Sequence, residues 1–318
     1  MSVWLLTDAA MDAHAAPGHP ERPERRDAAA AGVRDAAGDQ QEEPTVEPID
    51  RATLEAIHDP GYLALLADAE ARGGGWLDAD TYLVPGSVRA ALLAAGATLQ
   101  AALAVGTGAA EVAFAVVRPP GHHAWRGRGS GFCLINNVAV AVAGLRARGI
   151  AERIAIVDWD VHHGDGTQAI FDADPDLCYA STHQYPHYPG TGTRAETGSD
   201  AGTGTKHNVP LPAGSGNADF VSAWRGELLP AIEDFAPDAI LVSAGYDAHV
   251  HDPLAGLEVT EEGFEAVAEL VGALSTRLAL TGVALTLEGG YDLDALRAAA
   301  AATVRGILAG RSAAPDEG

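Results

Sequence analysis

Apolar and polar positions alternate along the chain in a pattern that predicts alternating strands and helices. Short apolar runs rich in β-branched residues, bounded by Gly, Pro or polar residues, are typical of buried strands. The first such run, SVWLL, stands near the beginning of the chain. Six further strands are predicted at 112–117, 154–159, 177–182, 206–211, 239–245 and 283–290.

Helical periodicity fills most of the segments between these strands. Alternating strands and helices predict an α/β fold, a mainly parallel sheet covered by helices on both faces. No repeat or linker divides the chain, so we expect a single domain over residues 1–310 and a disordered tail over 311–318. The main helices are predicted at 27–37, 51–57, 61–71, 87–106, 136–148, 166–171, 218–235, 260–280 and 292–309.

Ionisable side chains are concentrated directly after five of the predicted strands. Sites in parallel α/β sheets form beyond the carboxyl ends of the strands, so these segments are expected to meet at one site. In chain order the segments are RPPGHHA, DVHHGDG, THQYPHYPGTG, YDAHVHD and YD.

Three of these residues have the chemistry of a metal site. Asp160 and His162 are two positions apart at a strand end, so in extended backbone their side chains point to the same side. Asp247 supplies a third donor from another strand end. Oxygen and nitrogen donors with one position left open suit a catalytic Zn²⁺, with Fe²⁺ or Mn²⁺ as alternatives. A capping aspartate and a surface histidine would explain the first pair alone, but not its convergence with the third donor.

Further residues have the chemistry of a hydrolase. His122 and His123 follow a rigid Pro-Pro-Gly turn and suit proton transfer near neutral pH. Asp158 and Asp165 are candidates to orient their rings. Tyr291, after a Gly-Gly pair, can donate its hydroxyl hydrogen to a developing oxyanion.

The composition of the chain limits the partners that it is expected to bind and the cell compartment in which it is expected. The chain carries 20 basic and 44 acidic residues, a net charge of −24, which argues against direct binding of nucleic acid or anionic membrane. Two cysteines give no disulfide framework, and neither a signal peptide nor a membrane span is predicted. We expect a cytoplasmic protein, from a high-salt-adapted prokaryote or alternatively from an ordinary organism with acidic proteins.

Six ordered motifs resemble the zinc-dependent histone deacetylases, the acetylpolyamine amidohydrolases and the acetoin-utilisation proteins, on the class II side of that family. The N-terminal GHPERPERR is also similar, and the resemblance covers roughly residues 5 to 310. It implies the three-layer α/β/α arginase/deacetylase fold with about eight strands. The motifs are RPPGHHA, GFCLINNVAVA, DWDVHHGDGTQAIF, STHQYPHYPGTG, SAGYDAHVHDPLAGL and LEGGYDL.

The resemblance also implies roles. The metal ligands would be Asp160, His162 and Asp247. Metal-activated water would attack the amide, His123 with Asp165 acting as general base and His122 with Asp158 giving electrostatic support. Tyr291 would polarise the carbonyl. The residues that would contact the substrate are Gly131, Phe132, Tyr188 and Leu254. The residues that would hold a structural K⁺ are Asp158, Asp160, His162, Ser181 and Thr182.

Several questions stay open at this stage. A second monovalent cation site is implied near Phe171, and the acidic residue at the tunnel lip is either Asp78 or Asp80. Leu254 stands where the polyamine-specific branch carries an acidic residue, which favours acetyl-lysine in proteins or another small acetylated amine. Acetylpolyamine hydrolysis remains the alternative. A binuclear manganese ureohydrolase and an acyl-binding module without activity are disfavoured, because the tandem histidines, the metal ligands and Tyr291 are all present. Five other histidines are expected to be structural or at the rim: His163, His183, His187, His249 and His251.

Overall fold

A computed structural model of the chain describes residues 2–313, and a parallel sheet forms its centre. The strands, in chain order, are β1 (Val3–Leu6), β2 (Gln41–Glu42), β3 (Gly75–Trp76), β4 (Tyr82–Leu83), β5 (Val112–Ala115), β6 (Ile154–Asp158), β7 (Leu177–Gln184), β8 (Lys206–Leu211), β9 (Ala239–Ala244) and β10 (Val283–Leu287). Eight of them pair in the order β2-β1-β5-β10-β9-β6-β7-β8, and every pair is parallel. Strands β3 and β4 form a separate antiparallel hairpin.

The helices connect these strands much as the periodicity predicts. They are α1 (Glu24–Ala37), α2 (Arg51–Ile57), α3 (Pro60–Ala71), α4 (Ser87–Gly106), α5 (Asn137–Ala147), α6 (Asp165–Ile170), α7 (Asn217–Ala223), α8 (Leu229–Phe235), α9 (Glu261–Arg277) and α10 (Leu293–Ser312).

Several element boundaries differ from the sequence predictions, among them those of the helices predicted at 218–235 and 292–309. The single helix predicted over 218–235 is interrupted by a π-helical turn, Trp224–Leu228, just before Pro230. A proline has no backbone N–H to donate to the preceding turn, which explains a local change of helical register. Helix α10 continues through Ser312, two residues into the predicted tail, and 314–318 lie outside the described residues.

Two hydrophobic clusters lie on opposite faces of the sheet. One packs α1 and α7–α10 against the sheet and includes Trp159 and Phe264. The other packs α2–α5 against the opposite face and includes Ala113 and Ala115 of β5. Three layers of helix, sheet and helix result, which confirms the predicted α/β fold class.

Helix α4 belongs to the second of these clusters. It is long and apolar enough to cross a membrane by length and composition, a property that the sequence analysis missed. However, 72% of its apolar window is buried inside the protein, against α5 and the sheet. Its hydropathy therefore fits a core helix.

The register of the central strands aligns their carboxyl ends. Asp158, the last residue of β6, pairs with Ser181 of β7 on one side and Ser243 of β9 on the other. The segments after β5, β6, β7, β9 and β10 consequently leave the sheet at the same edge, where the predicted chemistry lies.

Candidate active site

A pocket of about 230 Å³ opens at this edge of the sheet. It brings together residues from five strand ends and from the segment between β3 and β4. The lining residues are Asp80, Pro120, His122, His123, Gly131, Phe132, Asp160, His162, His187, Tyr188, Leu254, Gly289 and Tyr291.

The three predicted metal ligands form a cluster, and two of them, Asp160 and His162, line this pocket. One ligand atom from each of Asp160, His162 and Asp247 lies within 4.8 Å of the others. The Nδ1 atom of His162 is 3.1 Å from a carboxylate oxygen of each aspartate. Burial by itself would lower the pKa of His162, but its hydrogen bonds with both carboxylates raise the pKa to about 10. Two buried carboxylates facing one imidazole thus favour a positive charge between them, so the residues present fit a divalent cation.

Backbone donors hold both carboxylates in place. Asp160 accepts hydrogen bonds from the backbone N–H of His162 and of Gly289, each at 2.8 Å. Asp247 accepts one from Val161 at 2.9 Å. A Cβ atom at Gly245 would lie only 2.0 Å from the Asp160 carboxylate, so the ligand position requires glycine there.

The tandem histidines face different carboxylates. His122 Nδ1 is 3.1 Å from Asp158, and His123 Nδ1 is 2.7 Å from Asp165. For His122, burial opposes protonation, but the carboxylates of Asp160 and Asp158 raise its pKa well above the ordinary value. For His123, burial and the neighbouring His122 lower the pKa to about 4. Near neutral pH His123 is therefore the ring that is free to accept a proton.

Tyr291 is buried on the other side of the pocket. Its backbone N–H donates to Asp252 at 2.7 Å, and the Arg25 guanidinium lies over its ring at 4.7 Å. Burial raises the pKa of Tyr291 well above the ordinary value. The hydroxyl keeps its hydrogen near neutral pH and can act as a donor.

Aromatic side chains narrow the approach to these groups. The Phe132 ring meets the Tyr291 ring edge-on at 5.9 Å, and the Tyr188 ring meets the His123 ring at 5.1 Å. A Cβ atom at Gly131 would lie 2.4 Å from the His123 ring, so only glycine lets this loop pass. The chain continues through Phe132 at φ 69°, an uncommon conformation for a residue with a side chain.

The geometry distinguishes the two lip candidates. Asp78 accepts hydrogen bonds from the backbone N–H groups of Asp80 (3.0 Å) and Thr81 (2.7 Å), which closes a local turn. Asp80 lines the pocket, and His19 Nε2 lies 3.0 Å from its backbone oxygen. Of the two candidates, Asp80 is the one that lines the pocket.

Ser181 and Thr182, two of the residues expected to hold K⁺, are buried in β7, and Ser181 pairs with Asp158 of β6. The Ser181 hydroxyl is 2.9 Å from His183 Nδ1, and the Thr182 hydroxyl accepts a hydrogen bond from Trp224 at 3.1 Å. Each hydroxyl thus has a protein partner and keeps a lone pair that could face a cation.

The other histidines divide between structural and rim positions. His163 is buried between Thr191 and Gln168, and His183 lies 2.7 Å from the Gly192 carbonyl oxygen. His187 lines the pocket and stacks on His162 at 5.2 Å between ring centroids.

Sequence reasoning missed several buried polar groups beside the site. Glu288 accepts hydrogen bonds from the backbone N–H groups of Gly121 (2.6 Å) and His122 (3.1 Å), so it fixes the turn that carries the histidines. Arg25 donates to the backbone oxygens of Glu288 and Gly290, each at 2.5 Å, and so supports the turn before Tyr291. These partners are far apart in sequence, and the GHPERPERR motif was the only signal for the arginine.

Known proteins resemble this chain in sequence and in fold. The histone deacetylase domain matches residues 19–307. A probable deacetylase of Archaeoglobus fulgidus is 40% identical over 281 residues, 87% of this chain and 78% of the archaeal protein. Human polyamine deacetylase HDAC10 is 38% identical over 302 residues, 91% of this chain and 44% of the human protein. The crystal structure of an acetylpolyamine aminohydrolase from Burkholderia pseudomallei superposes with a TM-score of 0.88 at 31% identity, covering 96% of this chain and 98% of that one.

The fold and the site together define a metal-dependent deacetylase, a hydrolase. The chain belongs to the histone deacetylase domain family.

Proposed function

We propose that the protein uses Zn²⁺ to remove acetyl or related acyl groups from acetyl-lysine in proteins or from a small acetylated amine. The observation that carries this proposal is that Asp160 and His162, which form the metal cluster with Asp247, line one narrow pocket together with the paired His123 and with Tyr291. A proton acceptor and a hydroxyl donor thus flank the cation-favouring cluster, as amide hydrolysis requires.

In this mechanism the residues of the chain have distinct tasks. His123, held by Asp165, accepts a proton from the attacking water and returns it to the leaving amine. His122, held by Asp158, contributes positive charge beside the reacting atoms. Tyr291 donates its hydroxyl hydrogen to the amide oxygen as negative charge develops there. A bound Zn²⁺ supplies Lewis acidity and lowers the pKa of water.

The pocket walls suit a long, thin acyl-amine. Phe132 and Tyr188 would contact its apolar stem, and the Gly131 carbonyl would accept from its amide N–H. Asp80 at the entrance would attract a donor or a positive charge on the rest of the substrate. Leu254 would contact the substrate at the mouth.

The proposal also includes a structural K⁺ and a cytoplasm of high salt concentration. K⁺ would be bound by Asp158, Asp160, His162, Ser181 and Thr182, partly through backbone oxygens. A cytoplasm of high salt concentration would suit the net charge of −24. Fe²⁺ or Mn²⁺ are the alternative catalytic metals for this donor set.

Acetylpolyamine hydrolysis is the alternative substrate assignment. The names of the human and Burkholderia relatives favour it, and Leu254, which offers no charge to a second ammonium group, disfavours it. A panel of acetyl-lysine peptides, longer acyl-lysines and N-acetylated polyamines, assayed in high KCl, separates the two. We expect the peptides to give the higher kcat/KM, and a strong preference for polyamines would contradict the argument from Leu254.

Turnover and metal content together test the mechanism. We expect one equivalent of zinc per chain and deacetylation of an acetyl-lysine peptide. The variants His123→Ala and Tyr291→Phe should lose at least about 100-fold in kcat while retaining the metal. His251→Asn, an exposed histidine, is the matched control and should keep full activity. Unchanged turnover in either site variant would contradict the assigned roles, and tight binding of acyl-lysine without any turnover would favour an acyl-binding module.

A further inference from the structure

The only lysine of the chain is buried away from the pocket. Lys206 is the first residue of β8, at the edge of the sheet, and its side chain has no exposed surface. A buried ammonium is costly unless its three hydrogens find acceptors. The groups that contact the ammonium therefore indicate the role of Lys206.

Three neutral oxygen atoms surround the ammonium. Nζ donates to the backbone oxygens of Leu177 at 2.8 Å and Asp174 at 3.2 Å, and to the Thr205 hydroxyl at 2.5 Å. Among residues 2–313 it forms no ion pair with a carboxylate. The carboxylates of Asp174 and Asp172 favour the charge from beyond ion-pair distance, while neutral oxygen atoms make the direct contacts. Such a set of oxygen dipoles can replace the hydration shell of a monovalent cation.

The cage is built from two segments that pack tightly together. One segment runs from Phe171, whose backbone oxygen accepts from Asp174 N–H, to the beginning of β7. The other is the glycine-rich turn before β8, where a Cβ atom at Gly202 would lie 2.5 Å from the Asp172 carbonyl oxygen. The Thr205 hydroxyl donates to Gly202, so its lone pairs remain directed at the ammonium. The oxygens are therefore fixed by backbone packing.

This arrangement disagrees with one expectation from the family resemblance, a second bound monovalent cation near Phe171. The backbone oxygens of Asp174 and Leu177, in the segment that begins at Phe171, are available for a cation, but a covalently attached ammonium already contacts them. The residues therefore do not fit an added ion at this position.

We propose that Lys206 is a built-in monovalent cation, whose ammonium fills the oxygen cage between the Phe171–Leu177 segment and Thr205 and replaces a bound ion there. The lysine joins the beginning of β7 to the beginning of β8 without an ion from solution. Burial lowers the pKa of Lys206 to about 8, so the side chain still carries its charge at neutral pH. This inference does not depend on the proposed reaction.

Emptying the cage tests the proposal. Lys206→Ala removes three methylene groups and the ammonium, the atoms of n-propylammonium. In choline chloride, whose cation is too large for the cage, we expect the variant to lose about 5 °C or more in Tm. In KCl or n-propylammonium chloride at the same ionic strength at least half of that loss should be recovered, measured relative to the wild-type response to the same salts.

Two further variants make the salt response specific. Lys206→Met fills much of the cage with an uncharged side chain, so its loss of Tm should be the same in all three salts. Arg146→Ala is the matched control, because Arg146 holds the same segment through Asp174 and Asp176 without entering the cage. It should lose stability without selective recovery in KCl. An equal loss for Lys206→Ala in all three salts would overturn the proposal.

The wild-type protein offers a test that needs no variant. Since the chain has one lysine, labelling with ¹⁵N-lysine gives one Nζ signal. We expect ammonium hydrogens that exchange slowly with water at pH 7, because the cage shields them. An Nζ group whose hydrogens exchange as fast as those of free lysine would overturn the proposal, whatever the catalytic activity of the sample.

Discussion

At the scale of single residues, His123 and His122 are adjacent in sequence but different in chemistry. His123 faces Asp165, whose second oxygen accepts a hydrogen bond from the Trp125 indole at 2.7 Å. His122 faces Asp158, which accepts one from the Tyr179 hydroxyl at 2.9 Å. Each carboxylate is thus oriented by its own aromatic donor, and the orientation of the base depends on a residue outside the pocket.

This arrangement predicts graded losses of activity. Asp165→Asn should lower kcat about 100-fold, because the ring of His123 loses its anionic partner. Trp125→Phe, which removes only the donor to Asp165, should lower kcat about tenfold. KM should change little in both, and the acidic limb of the kcat pH profile should shift. Steady-state kinetics on an acetyl-lysine peptide provide the measurement, and an unchanged kcat for Asp165→Asn would show that the pairing does not serve the base.

At the scale of elements, a buried histidine joins two helices on one face of the sheet. His58 ends α2, and its Nε2 accepts a hydrogen bond from the backbone N–H of Asn136, the residue that caps α5. Only the neutral ring has a lone pair to accept this bond. Burial lowers the pKa of His58 to about 4, so protonation and this contact between helices exclude each other.

Acid should therefore loosen the α2–α5 contact. In the unfolded chain a histidine binds its proton near pH 6.5, and in the folded protein His58 does so only near pH 4. Its stabilising contribution is complete above pH 6.5 and is lost as the pH falls from about 6.5 to about 4, by about 3 kcal/mol in total. Urea unfolding at several pH values measures this, with His58→Gln expected to have a shallower slope. Equal slopes for both proteins would contradict the explanation.

Individual helices and strands could be predicted from the sequence more fully than the order of the strands in the sheet. The run KHNVPL matches β8 at both ends because an apolar strand stands between turn residues. By contrast, β10 lies between β5 and β9, and no local pattern encodes that neighbourhood. The same limit applies to the site. The catalytic candidates stand in motifs. Glu288 also stands in one, LEGGYDL, but nothing local in the sequence shows that it supports His122 across 166 residues.

At the scale of the whole molecule, negative charge dominates the surface. The excess of 24 acidic residues means that most carboxylates have no basic partner available. Exposed ion pairs such as Arg297–Asp35 and Arg277–Glu233 use part of the few arginines. Mutual repulsion of the remaining acids disfavours the compact state.

Salt should relieve this repulsion. Raising the salt concentration from 0.1 M to 1 M shortens the Debye length from about 10 Å to about 3 Å, so we expect Tm to rise by about 5 °C or more. Thermal scans in KCl measure the effect, and choline chloride gives the part that comes from screening alone. A Tm that stays constant or falls would contradict an adaptation to high salt.

The burial of Lys206 bears on whether the enzyme can itself be acetylated and then deacetylated by a second copy. Acylation of lysine requires an accessible, uncharged amine, and the single lysine within these 318 residues is enclosed by the fold. The folded chain therefore offers no lysine for acetylating enzymes or reactive acyl donors to modify. Within these residues the folded deacetylase presents no acetyl-lysine to a second copy of itself, and acetylation of lysine has no site here through which to regulate the enzyme.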